Sequence, residues 1–141
     1  MKIFYHHFSF FLLFIFAVGC GSGNVSVTGK VMFPDGTPLD HGEVIFESSV
    51  LIARGAIQRD GTYRVQSGEL KGLPVGTYNV SVGGFQDTVV ESFAPDGSPT
   101  GVRIIPAVIP VAKKFLSGGT SDLVCEVKGR TTFDITVEPP K

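Results

Sequence analysis

Turn residues interrupt this chain so often that no long helix has room to form. Glycine accounts for 18 of the 141 residues and proline for 9, whereas glycine averages about 7% in proteins. Between these breaks, apolar and polar residues alternate with a period of two, as at Phe133, Ile135 and Val137. Such alternation is typical of strands with one buried face. The sequence therefore predicts short strands joined by tight turns.

The predicted strands are numerous enough for one complete domain. They cover 25–33, 42–48, 51–58, 62–66, 77–83, 88–93, 122–128 and 131–138. Short strands separated by turn signals roughly every 8 to 12 residues are typical of a β-sandwich. We therefore expect an all-β fold, a single sandwich of seven to eight strands with Greek-key-type connections over residues 25–138, with one face of each strand in the core. The predicted core residues are Val31, Phe46, Tyr63, Tyr78, Cys125 and Phe133.

Several turns are predicted from glycine, proline and aspartate. Asp-Gly between alternating runs favours a hairpin, because glycine tolerates a positive φ. In a Pro-x-Gly turn, proline presets the first central position and glycine can take the left-handed one. The structural turn residues predicted in this way are Asp35, Gly36, Asp60, Gly61, Pro74 and Gly76.

A calcium site is the alternative interpretation of the Asp-Gly pairs, of which Asp96-Gly97 is a third. Calcium takes about six to eight oxygen ligands, usually from closely spaced carboxylates, and each of these aspartates stands alone in the sequence. Turn chemistry is therefore favoured, and neither a metal nor another cofactor is expected.

Residues 1–19 resemble a secretion signal. The apolar run Phe8–Val18 is broken only by Ser9. It is too short to span a bilayer as a helix, which needs about 20 residues, and suits the core of a signal peptide. The run leads into Ala17-Val18-Gly19-Cys20, which resembles the lipobox of bacterial lipoproteins. We expect Cys20 to be acylated, residues 20–24 to form a flexible tether, and the protein to be exported and anchored in the cell envelope, at the outer membrane or cell surface. Ordinary cleavage nearby, with a soluble product, is the alternative.

The charge balance argues against a nucleic-acid partner. Only Lys2 among the bases lies in residues 1–19, which leaves 11 bases against 13 acids and a net charge of −2. Nucleic-acid binding needs clustered Lys and Arg. If Cys20 is acylated, Cys125 is the remaining thiol, and its position in an alternating strand predicts a buried, inert side chain.

The segment 98–119 departs from the strand pattern. Pro99, Pro106 and Pro110 interrupt its apolar run, and proline is confined to strand edges and loops. We expect an extended connection that wraps the sandwich and packs its apolar side chains on the edge. If those side chains are exposed instead, they are the best candidates for a partner surface. The candidates are Ile104, Ile105, Val108, Ile109 and Phe115.

Catalytic residues are scarce. Residues 20–141 contain one histidine, His41, so they supply neither a two-histidine metal site nor a convincing Ser-His-Asp set. Asp40 with His41, or Glu43 with Glu47, could in principle act as acid and base. We expect no enzyme activity, with these four residues as the only candidates for a hydrolase. A Lys30–Asp134 isopeptide cross-link is also disfavoured, because both residues are out of phase with the apolar positions of their strands.

Three stretches carry a family resemblance. They are VTGKVMFPDGTPLDHGEVIFES (27–48), GAIQRDGTYRV (55–65) and GLPVGTYNVSV (72–82). Their order resembles the carboxypeptidase regulatory-like domain, a transthyretin-like (prealbumin-like) sandwich, and the tail TSDLVCEVKGRTTFDITVEPP (120–140) looks like the closing strands of small bacterial lipoproteins that carry this domain alone. The resemblance implies a non-catalytic role. The related hydrolases of hydroxyisourate use histidines, an arginine and a Tyr-Arg-Gly-Ser motif that this sequence lacks.

Together these observations favour a structural or protein-interaction module, held at the membrane by a lipid, that binds an envelope protein. The alternative is a carbohydrate-binding surface lipoprotein that holds an envelope polysaccharide on an exposed strand face or on the segment 98–119. The sequence specifies neither the partner nor an oligomeric state.

Overall fold

The computed structural model of the protein describes residues 23–141, and these residues form an all-β structure, as the sequence predicts. The predicted signal and Cys20 lie outside the described residues. The strands are β1 (Val27–Met32), β2 (Glu43–Glu47), β3 (Ile52–Ala56), β4 (Thr62–Arg64), β5 (Gln66–Ser67), β6 (Leu70–Lys71), β7 (Gly76–Gly83), β8 (Thr88–Phe93), β9 (Pro99–Ile105), β10 (Leu123–Val127), β11 (Thr131–Thr132) and β12 (Ile135–Thr136), with a short 3-10 helix at Lys113–Leu116.

The larger sheet is antiparallel and has β2 and β3 at its centre. Its order is β10-β7-β2-β3-β5-β6, and Phe46 of β2 lies opposite Val80 of β7 and Ala53 of β3. Tyr78, Val80 and Val82 are buried, because alternate residues of β7 point into the core.

The second sheet is built around β1. β4 pairs with it antiparallel, whereas β11 and β12 pair with it parallel. Val27 lies opposite Thr131 and Val31 opposite Ile135, so β11 and β12 keep one register and are two pieces of one interrupted strand. At the interruption, the backbone N–H of Lys30 donates to Asp134 Oδ1 at 2.9 Å.

The core lies between the two sheets and is held by aromatic side chains with satisfied hydroxyls. The Phe46 ring packs against Tyr63, Tyr78 and Phe133, with centroids 6.2–6.3 Å apart. The Tyr78 hydroxyl donates to the Pro74 carbonyl at 2.9 Å, and the Tyr63 hydroxyl donates to the Phe133 carbonyl. Buried tyrosines usually find such partners.

The structure differs from several strand and turn predictions. The predicted strand 62–66 is divided between the two sheets as β4 and β5, β6 was not predicted, and 131–138 is interrupted. Gly36 and Gly61 take positive φ angles of 87° and 82°. Gly76 does not: it begins β7, and the left-handed glycine before it is Gly72, with φ 86°.

The strand predicted at 88–93 is confirmed as β8, but its burial was predicted wrongly, as was the course of the chain after it. The sequence predicts that 88–93 places one face in the core and that 98–119 wraps the sandwich edge. Instead, Thr88–Phe93 and Pro99–Ile105 pair only with each other as a separate two-stranded sheet, and every residue of both strands is exposed. We call residues 88–105 the ribbon.

The two ends of the molecule carry different features. Val25 pairs with Leu73 through backbone bonds of 2.7 and 2.9 Å, just before β7 begins at Gly76. The ribbon follows Gly83, where β7 ends. Eight extended residues span roughly 25 Å, so the start of the described chain and the base of the ribbon lie at opposite ends of β7. None of the described residues forms a helix long and apolar enough to cross a membrane.

Candidate functional site

The ribbon is closed by a tight turn that the sequence encodes locally. Asp96 Oδ1 accepts hydrogen bonds from the Ser98 backbone N–H at 3.0 Å and from the Ser98 hydroxyl at 2.6 Å. Gly97 has a φ of 83°, a conformation that glycine adopts without strain. The two strands then pair from Thr88 opposite Ile105 to Phe93 opposite Pro99, with an irregularity at Ser92 and Phe93.

One face of the ribbon is mainly apolar. Side chains alternate between the faces of a strand, and Val89 lies opposite Ile104 while Glu91 lies opposite Val102. Phe93 shares this face, which we call the apolar face: Val89, Phe93, Val102 and Ile104 around Glu91. The four apolar residues are 59–67% exposed. The other face is mixed and includes Val90, Arg103 and Ile105.

The base of the ribbon is tied to the segment that follows it. Asp87 Oδ1 accepts a hydrogen bond from the Ala107 N–H at 2.7 Å. Beyond Pro110 the chain turns inward, and the Ala112 N–H donates to the Glu138 carbonyl at 2.7 Å. Val111 and Phe115 are buried there, Phe115 on the 3-10 helix.

The structure separates the predicted interaction residues into two groups. Ile104, Ile105, Val108 and Ile109 are exposed, Val108 at 80%. Phe115 is 4% exposed and belongs to the core, so its assignment as a partner contact is wrong. The reason is the 3-10 helix, which turns this side chain toward β7.

A second candidate site is a polar groove of about 760 Å³ on the outer faces of β1, β3 and β4. β4 pairs with β1, and β5 pairs with β3 through Gln66. Because the chain crosses from one sheet to the other between β4 and β5, outward residues of both sheets meet in this groove. The side chains that define the groove are Lys30, Arg54, Gln58, Arg64, Gln66 and Asp134, with the threonines Thr28, Thr62 and Thr132.

Two of the groove's cations make one contact each at its rim. An Arg54 Nη1 donates to Glu43 Oε2 at 3.0 Å, and an Arg64 Nη1 donates to Ser26 Oγ at 3.2 Å. A guanidinium has five N–H donors, so each arginine keeps donors for a ligand. Sequence reasoning missed this groove. The outward, polar phase of β1 and β4 was visible, but its meeting with β3 depends on the sheet pairing.

The four catalytic candidates, Asp40, His41, Glu43 and Glu47, lie on β2 and on the turn before it. His41 Nδ1 and Asp40 Oδ1 are 2.6 Å apart on an exposed turn, and the hydrogen bond from His41 lowers the pKa of Asp40. The His41 ring meets the edge of Phe85. Glu43 is paired with Arg54, and Glu47 lies at the end of β2. Asp40 and His41 therefore form a hydrogen-bonded pair on a turn, and Glu43 forms a surface ion pair with Arg54.

The turn aspartates bind their own turns. Hydrogen bonds from the Thr37 backbone to Asp35, from the Thr62 hydroxyl to Asp60 and from the Ser98 hydroxyl to Asp96 lower the pKa of each carboxyl group. Over residues 23–141, no three His, Cys, Asp or Glu side chains come together as a metal could require.

The buried titratable groups are held in their neutral forms. Burial raises the pKa of the Cys125 thiol, and burial, with smaller effects from Cys125 and Asp134, raises the pKa of Tyr63. Both side chains are almost fully enclosed. A thiol reacts as the thiolate, so this position of Cys125 suits packing and not chemistry.

Comparisons with known proteins add little. No model of a known protein family matches the chain, and no curated protein matches it. A solved structure that matches is a 9R-lipoxygenase from Cyanothece PCC8801, with 14% identity and a TM-score of 0.33. The match covers 84% of this chain and 16% of the lipoxygenase. A likeness this weak supports no statement about fold family or activity.

Proposed function

We propose that this protein is a non-enzymatic, lipid-anchored module of the cell envelope, a transthyretin-like sandwich that uses its ribbon to bind another envelope protein. The observation that carries the proposal is the exposed apolar face of the ribbon. A two-stranded hairpin is marginally stable alone in water, and a contiguous exposed apolar patch is typical of an interaction surface. A partner that covers this face would bury it and order the ribbon.

The single charge on the apolar face favours a particular kind of partner. Glu91 lies among Val89, Phe93 and Val102. Burying an unpaired carboxylate is costly, so a well-matched partner surface is apolar and carries one Lys or Arg opposite Glu91. A second copy packed face to face would bring two Glu91 carboxylates into one interface, which like-charge repulsion disfavours.

The position of the ribbon suits an anchored protein. If Cys20 is acylated, a tether of a few residues leads to Val25, and the ribbon begins at the opposite end of β7. The apolar face is then held away from the anchor, where a neighbouring envelope protein could reach it.

The test is site-specific photo-cross-linking of the full chain in its own cells. A benzoylphenylalanine at position 102 is expected to cross-link one envelope protein, and the same probe at position 124 is not. Val124 is a suitable control because it is 55% exposed on β10, away from the ribbon. Ile104→Ser and Glu91→Lys are each expected to reduce the cross-link several-fold.

Three outcomes would contradict the proposal: equal cross-linking from positions 102 and 124, cross-linking to a second copy of the chain, or a cross-link unchanged by both substitutions. The anchor is tested separately. Metabolic labelling with a radioactive fatty acid is expected to mark the wild-type chain, and the label is expected to disappear in Cys20→Ser.

A further inference from the structure

We propose that the polar groove is a binding site for an acidic polysaccharide, a sugar chain that carries carboxylate or sulfate groups. The proposal is independent of the ribbon and its partner. It rests on the shape of the groove, on the side chains that line it and on their charge.

The groove is open and lies where outward side chains of three strands meet. Lys30 of β1 and Thr62 of β4 are cross-strand neighbours, as are Thr28 and Arg64. Arg54 of β3 is placed beside them by its pairing with Gln66. Because β4 and β5 pass from one sheet to the other, these outward side chains surround a volume of about 760 Å³.

The charge of the groove is opposite to that of the whole protein. Three cations, Lys30, Arg54 and Arg64, line it together with a single carboxylate, Asp134. Residues 20–141 carry 11 bases and 13 acids, a net charge of −2. Asp134 already accepts the Lys30 backbone N–H. Glu43 bonds Arg54 from outside the groove through a single guanidinium nitrogen. The guanidinium N–H donors that remain on Arg54 and Arg64 match the planar geometry of a carboxylate or the oxygens of a sulfate.

The remaining lining favours sugar over other polyanions. Gln58, Gln66 and the threonines offer amides and hydroxyls for sugar hydroxyl groups. The aromatic lining residue, Tyr63, is 3% exposed and its hydroxyl donates to the Phe133 carbonyl. The lining therefore offers no ring on which a nucleobase could stack, and stacking is a main source of single-strand nucleic-acid binding.

The test is calorimetric titration of the full chain, purified in detergent, with four probes of similar length. Alginate oligosaccharides present carboxylates, heparin oligosaccharides present sulfates, dextran oligosaccharides are neutral, and oligo-dT presents phosphates. We expect binding to alginate or heparin, with the tighter of the two identifying the anion, weaker binding at high salt, and no binding to dextran.

Three single variants locate the site. Lys30→Gln and Arg64→Gln are each expected to weaken binding about tenfold, the size expected for losing one charge-assisted contact. Lys128→Gln is the matched control, because Lys128 pairs with Glu126 on a different part of the surface, and it is expected to bind as wild type does. Unfolding temperatures of all variants check that each is folded.

The proposal is overturned if neither acidic sugar binds, if Lys128→Gln weakens binding as much as Lys30→Gln does, or if oligo-dT binds as tightly as the acidic sugars. The last two results would show unspecific attraction to any polyanion. Loss of sugar binding would leave the photo-cross-link at position 102 untouched, so failure of this proposal and failure of the proposed function can be told apart.

Discussion

At the scale of single residues, Gly29 is a position that leaves no room for a side chain. A Cβ built there would lie 1.9 Å from the Phe133 carbonyl oxygen and 2.8 Å from the Tyr63 hydroxyl, the two atoms that join β4 to the C-terminal strands. We predict that Gly29→Ala lowers the free energy of unfolding by about 3 kcal/mol or more, since a backbone atom cannot move aside cheaply.

The control for this prediction is Gly129→Ala. No heavy atom lies within 4 Å of a Cβ built at Gly129, so its expected effect is within about 0.5 kcal/mol. Denaturant titration of the two variants measures both values. Similar stabilities for the two would show that the strand around Phe133 is not packed as described.

The buried thiol and phenol predict how stability depends on pH. Burial raises the pKa of Cys125 and of Tyr63, so above their unfolded pKa values the unfolded chain loses protons that the folded protein keeps. The free energy of unfolding is then expected to change little between about pH 7 and pH 8, to fall above about pH 8.5 because of Cys125, and to fall faster above about pH 10 because of Tyr63.

Two variants separate the contributions to this pH dependence. Cys125→Ala should remove the decline that begins near pH 8.5, and Tyr63→Phe should reduce the slope above about pH 10. Each is compared with its own stability at pH 7, because both also lose packing or a hydrogen bond. A wild-type protein whose unfolding free energy does not change between pH 7 and pH 10.5 would contradict the prediction.

At the scale of elements, the segment after the ribbon divides into an exposed part and a packed part. Phe115 is buried against β7, whereas Val108 is 80% exposed. We predict that Phe115→Ala costs about 3 to 4 kcal/mol of unfolding free energy through the cavity it leaves. Val108→Ala is expected to cost less than about 0.5 kcal/mol. Thermal or denaturant unfolding checks both, and a small loss for Phe115→Ala would restore the idea that it serves a partner.

The sequence predicts these strands best where apolar and polar residues alternate regularly. The alternation in β1, β2 and β7 marks the buried side of each strand, because one face meets the core and the other meets water. The same reasoning misled at Thr88–Phe93: Val89 and Phe93 share one face as in a core strand, yet the pairing partner is another exposed strand. Periodicity shows that a strand has an apolar face and does not show what covers it.

Beyond Pro110 the expected packing is present at Val111 and Phe115, but the 3-10 helix that carries Phe115 was not predicted. The 3-10 helix at Lys113–Leu116 is one turn long, too short for a helical period to appear in the sequence. Its buried side is set by β7 and by the Ala112–Glu138 backbone bond. Contacts between residues so far apart in the chain leave no local signal.

At the scale of the whole molecule, the groove and the ribbon use separate parts of one scaffold. The groove is lined by β1, β3 and β4, whereas the ribbon is a sheet of its own that follows the end of β7. The groove could not be predicted from sequence, because Lys30, Arg54 and Arg64 lie on three different strands and meet only where β4 and β5 pass between the sheets.

This separation predicts that the two sites act independently. Effects at distant sites without shared partners usually add, and the lining of the groove includes no residue of the ribbon. Val102→Ser combined with Ile104→Ser is therefore expected to abolish the photo-cross-link from a probe at position 89 and to leave the alginate affinity within about twofold of wild type. Lys30→Gln should weaken alginate binding and leave the photo-cross-link unchanged.

Measuring both readouts on both variants also tests the scaffold itself. If the ribbon substitutions weakened sugar binding, the ribbon would have to contact the groove or change its shape through β7. That contact would require an arrangement other than a ribbon paired only with itself. Independent losses would instead show a rigid sandwich that holds a sugar chain on one surface and a protein at the end of β7, as a module linking two envelope components would require.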